Sequence, residues 1–108
     1  MSADGGVADT PTACNLDAGA LAGRVEEWRA LVANSVVTVE AEPTALRLVL
    51  APSQSALVTA VDLAQREKQC CPFFDVALDI GERQRTLSFR VPEGAEEAMA
   101  TFVAMLTP

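Results

Sequence analysis

At 108 residues, half of them apolar and only 5% aromatic, the chain has room for one domain whose core is built mainly from Val, Leu and Ala. A formal charge of −7 and a pI near 4.4 set it against a phosphate backbone, and no basic cluster offsets this locally, so nucleic acid is not an expected partner. No apolar run approaches the roughly 18 residues of a membrane span and the first residues do not read as a secretory signal, so the expected location is cytoplasmic, with no membrane partner.

Residues 1–11 are small, acidic and turn-forming without periodicity, and are expected to be a disordered lead-in to a single domain over 12–108. The short segment Thr12 to Leu16, carrying Cys14, reads as a strand or an ordered approach. Asp17 is placed to cap a helix over about 18–33, in which Leu21, Val25, Trp28 and Val32 form one apolar stripe and Arg24, Glu26, Glu27 and Arg29 lie largely off it. Trp28 reads as a core anchor.

Two strands follow. Val37, Val39 and Ala41 share a face in 35–41, Leu46, Leu48 and Leu50 share one in 45–51, and Glu42-Pro43-Thr44 connects them. Ser53 is placed to cap a second helix over about 54–71, with Leu57, Ala60, Val61 and Ala64 on its buried face and Pro72 as its stop. A second hairpin pairs 74–80 with 85–91 across Gly81-Glu82, directing Phe74, Val76, Leu78 and Ile80 inward opposite Leu87, Phe89 and Val91. A last helix over about 93–106 buries Met99, Phe102, Val103 and Leu106, and Glu93, Glu96 and Glu97 in its first turn complement the helix dipole. The fold class is α+β, with order (β)αββαββα: a two-layer sandwich in which helices cover one face of an antiparallel sheet. Thr38, Glu40, Arg47, Asp75, Asp79, Thr86, Ser88 and Arg90 fall on the other face, polar and mixed in sign, as suits solvent.

With no histidine and no tyrosine, a Ser-His-Asp triad, a Cys-His pair and any imidazole site are excluded. The distinctive chemistry lies in three cysteines, an odd number that cannot all pair within one chain. Glu67, Cys70 and Cys71 stand at i, i+3 and i+4, on neighbouring positions of one helical surface. Three readings follow. If Cys14 converges with Cys70 and Cys71, the thiolates suit a soft ion, Hg(II), As(III), Zn(II) or Cu(I), with Glu67, Asp75 or water as a further ligand to zinc. Alternatively the cysteines are structural, as small buried hydrophobes of a protein-interaction or accessory domain. Third comes thiol redox chemistry, against which stands the helix C-terminus, where the dipole raises a thiol pKa; Arg66 and Lys68 would offset this in part. A Cys70–Cys71 disulfide would close a strained small ring, and Cys14–Cys70 is the geometrically easier pair. A non-enzymatic role is favoured.

Ala13-Cys14-Asn15-Leu16, Trp28 and Glu67-x-x-Cys70-Cys71-Pro72-Phe73 together resemble a pattern of small actinobacterial-type proteins that occur alone or appended to regulators of the mercury-resistance type. The resemblance covers most of residues 12–106. It implies a heavy-metal or thiol-linked role for Cys14, Cys70 and Cys71, and adds to the metal reading.

Overall fold

The computed structural model describes residues 18–106. Along them run α1 (Ala18–Ser35), β1 (Val36–Glu42), β2 (Ala45–Leu50), α2 (Gln54–Cys70), β3 (Asp75–Ile80), β4 (Arg85–Arg90) and α3 (Glu96–Leu106). The order αββαββα and the α+β class agree with the sequence. The leading strand expected near Cys14, the cap expected at Asp17 and the lead-in at 1–11 lie outside the described residues.

The four strands make one antiparallel sheet in the order β1-β2-β4-β3. Each αββ unit contributes a hairpin, and the units meet through their second strands, with Leu46 opposite Phe89 and Leu48 opposite Leu87. Alternation then decides the layers. Leu46, Leu48, Leu50, Leu87 and Phe89 turn to the face covered by the helices and join Trp28, Leu31, Ala60, Leu63, Met99, Phe102 and Leu106 in one core. At its centre Trp28 meets Phe89 and Phe102 edge-on, with ring centroids 5.7 and 5.3 Å away, and Phe74 packs 5.0 Å from Phe102.

Several details differ from expectation. Leu78 and Ile80, expected to point inward from the second hairpin, are 37% and 60% exposed, on the edge strand β3. The register shifts between Val36 and Thr38, so Val36 takes the place opposite Leu50 and Val37 is thrown outward, 67% exposed. In α2 the buried residues are Ala56, Ala60, Leu63, Ala64, Glu67 and Cys70, while Val61 is exposed: the buried stripe is rotated away from Val61 and includes a carboxylate. Thr86, expected on the solvent face, is buried in central strand β4, where Val49 and Asp79 flank it.

The ends of α2 follow local rules. Ser53 is extended (φ −129°, ψ 150°), and its hydroxyl accepts a 3.1 Å bond from the Ala56 amide. Helix α2 closes at Cys70, one residue short of the expected end, with Cys71 as its cap donating its backbone N–H to the Glu67 carbonyl at 2.7 Å. Helix α3 starts at Glu96, so Glu93 precedes its first turn; Gly94 sits there at φ 97°, a conformation L side chains seldom adopt. No described helix is long and apolar enough to cross a membrane.

Candidate functional site

Proline 72 and the last turn of α2 set the site's geometry. Because Pro72 cannot continue the helix, the chain leaves at Cys71 and doubles into Phe73-Phe74, with the Phe74 amide bonded to the Cys71 carbonyl at 3.1 Å. Lys68 fastens this corner, donating to the carbonyls of Pro72 (2.7 Å) and Phe74 (2.6 Å). Its charge is thereby committed to the carbonyl end of the helix, where a cation is favoured, and not to a thiolate. Arg66, the other cation considered as a thiol partner, instead binds Glu27 through both carboxylate oxygens (2.9 and 3.0 Å) and Asp62 at 2.9 Å.

The corner brings Glu67, Cys70 and Cys71 together. One ligand atom from each lies within 4.8 Å of the others, and all three residues are buried. Glu67 is held from the neighbouring helix: its Oε1 accepts the Trp28 indole N–H at 3.0 Å and the Arg24 guanidinium at 3.2 Å. Arg24, read from the sequence as lying off the apolar stripe, therefore points inward beside Trp28, four residues on and one turn along α1. That i, i+4 spacing of an indole donor and a cation, facing a glutamate in an otherwise apolar helix face, was the signal available in the sequence.

The second oxygen of Glu67 faces sulfur. The Cys71 thiol donates toward Oε2 at 3.7 Å and lies equally close, 3.7 Å, to the sulfur of Cys70. Burial pushes the Cys71 thiol up to about 12; the negative charge and hydrogen bond of Glu67 act in the same direction, and only Arg24 opposes them. At neutral pH Cys71 is thus a protonated, buried thiol. Cys71 is free, whereas Cys70 is disulfide-bonded. Cys14, the third expected sulfur ligand, lies outside the described residues. Asp75 is exposed at the start of β3 and takes no part in the cluster.

Beside Cys71 opens a cavity of about 330 Å³. Leu21, Phe73, Phe74, Phe102 and Met105 give it apolar walls, and Glu67, Cys71, Glu97 and Thr101 supply polar ones. The sequence had given no sign of a pocket, because its walls come from α1, the Pro72 corner and α3, three segments distant along the chain.

The arrangement offers sulfur and carboxylate donors to a soft cation, and a thiol too basic to be an effective nucleophile unaided. The chain matches no protein-family model, no curated protein and no solved structure.

Proposed function

We propose that the protein binds a soft metal or metalloid ion without catalysing a reaction, in a sensing, sequestration or resistance role, with Cys70, Cys71 and Glu67 as donors and Cys14 as an additional sulfur. The observation that carries this reading is the meeting of the Glu67, Cys70 and Cys71 ligand atoms within 4.8 Å in a buried setting. Because Cys70 is held in a disulfide, the binding form is the reduced one.

Charge favours an ion in that place. With Glu67 ionised, both thiols deprotonated and Arg24 alongside, the cluster would hold three negative charges and one positive one. A divalent ion such as Hg(II) or Zn(II) brings it to neutrality, and buried charge is tolerated only when so compensated. The carboxylate that suppresses the Cys71 thiolate in the apo protein thereby supports the cation. Binding releases the thiol protons, so affinity rises with pH.

Competition against a chromophoric chelator, using the reduced protein and Hg(II) or Zn(II), tests this. Cys70→Ser and Cys71→Ser should each weaken binding at least tenfold, and Glu67→Gln by a smaller factor. Unchanged affinity in both cysteine variants would end the reading.

A second reading is favoured by Glu67 Oε1, which the protein itself already saturates. On it the cluster is a structural tie between α1 and α2 in an interaction domain, and cysteine-to-alanine variants change only stability, by about 1–2 kcal/mol. Thiol-dependent catalysis ranks last, because it needs a depressed thiol pKa and Cys71 is shifted the other way.

A further inference from the structure

We propose that the cavity beside Cys71 takes the organic group of a monosubstituted soft-metal cation, an arylmercury(II) species, with the Cys71 sulfur as its one protein ligand. The inference rests on the reading of Cys71 as a soft-metal donor. It adds the ligand class and separates the oxidised protein from the reduced one.

Two observations carry it. Cys71 is free while its neighbour Cys70 is disulfide-bonded, so the oxidised protein presents one thiol here and not a pair. A bare Hg(II) ion bound to one thiolate would lack ligands and keep a net positive charge. An aryl-substituted ion already carries one carbon ligand, needs one sulfur to complete linear coordination, and becomes neutral on binding it. The cavity suits that neutral product. The pocket is partly open to solvent, and its volume of about 330 Å³ leaves room for a phenyl ring, since an enclosed apolar cavity of roughly 150 Å³ already holds benzene. Phe73, Phe74, Phe102, Leu21 and Met105 offer apolar surface to a ring, and Cys71 stands in the same wall.

The exchange balances without any change of oxidation state. The S–H bond of Cys71 breaks, a sulfur–mercury bond forms, and the counter-ion leaves mercury. The proton passes to Glu67 Oε2, 3.7 Å from the sulfur, and then to solvent with the departing anion.

The test uses the full chain without reductant, with excess iodide as a soft competitor that leaves the disulfide intact, and phenylmercury acetate or methylmercury chloride as probe. Adducts are counted by native mass spectrometry. Burying a phenyl ring in place of a methyl group should favour the phenylmercury adduct by roughly tenfold or more over the methylmercury adduct in competition with iodide. Cys71→Ser should remove the adduct. Ala98→Phe, which fills the cavity from α3, should lower phenylmercury retention by about tenfold and leave methylmercury within about twofold. Equal retention of the two probes by the wild-type chain overturns the proposal, as does a phenyl preference that survives Ala98→Phe. Should Ala98→Phe fail to fold, the phenyl-to-methyl ratio of the wild-type chain decides alone. Reduced protein challenged with Hg(II) keeps the two claims apart. If it binds Hg(II) through Cys70 and Cys71 and no phenyl preference is found, only the cavity claim falls. A phenyl preference without such binding leaves the cavity claim standing and removes the two-cysteine site.

Discussion

Glu67 carries a carboxylate at 3% exposure, and its surroundings explain how the fold tolerates it. An indole N–H and a guanidinium serve one oxygen and a thiol approaches the other. Glu67→Gln keeps an oxygen for Trp28 but leaves Arg24, itself only 10% exposed, with only the longer 4.0 Å pairing to the half-exposed Glu27. The variant should lose about 3 kcal/mol in urea-induced unfolding. It should also let the Cys71 thiolate appear at lower pH, because the negative charge that opposes ionisation has gone. Thiolate absorbance followed against pH checks this; an unchanged midpoint would mean that Glu67 does not govern the thiol.

Among the elements, α2 links the sheet to the site, and its register is set at both ends. The Ser53 cap fixes its start, and Ser53→Ala should lower stability by about 1 kcal/mol in thermal or urea unfolding, with no change at Cys71. Strands and helices were legible in the sequence because alternation and helical spacing are local. What escaped was set by contacts between segments. Val37 continues the alternation of Val39 and Ala41, and nothing nearby announces the bulge that turns it outward. In α2, Val61 and Leu63 are equally apolar, and the choice between them depends on which face meets α1. Burial of Glu67 makes sense only once Arg24 and Trp28 arrive from another helix. The cluster itself was half legible: the spacing of Glu67, Cys70 and Cys71 placed them together, but neither the cavity nor the partners of the carboxylate could be read from it.

For the molecule as a whole, the buried thiol couples folding to alkaline pH. Cys71 titrates near 9 when exposed and near 12 in the fold. The folded state therefore holds its proton where the unfolded chain has released it. This contribution to stability is complete below about pH 9 and declines progressively toward about pH 12. Cys71→Ala should flatten that decline in urea unfolding measured across the interval; an identical slope in the variant would assign it to other groups. The acidic whole, at −7, bears on the site too, since a net negative surface attracts cations toward it and repels anions.

The claim that Glu67, Cys70 and Cys71 form a soft-metal site is tested most directly by native mass spectrometry of the reduced chain with one equivalent of Hg(II), followed by alkylation of the remaining thiols and mapping of the labels. The account predicts one ion per chain, with Cys70 and Cys71 protected together, and loss of that joint protection in Cys71→Ser. A chain that retains no ion, or that protects Cys71 equally with and without Hg(II) while Cys70 is labelled throughout, would contradict it and leave the cluster as a structural tie between two helices.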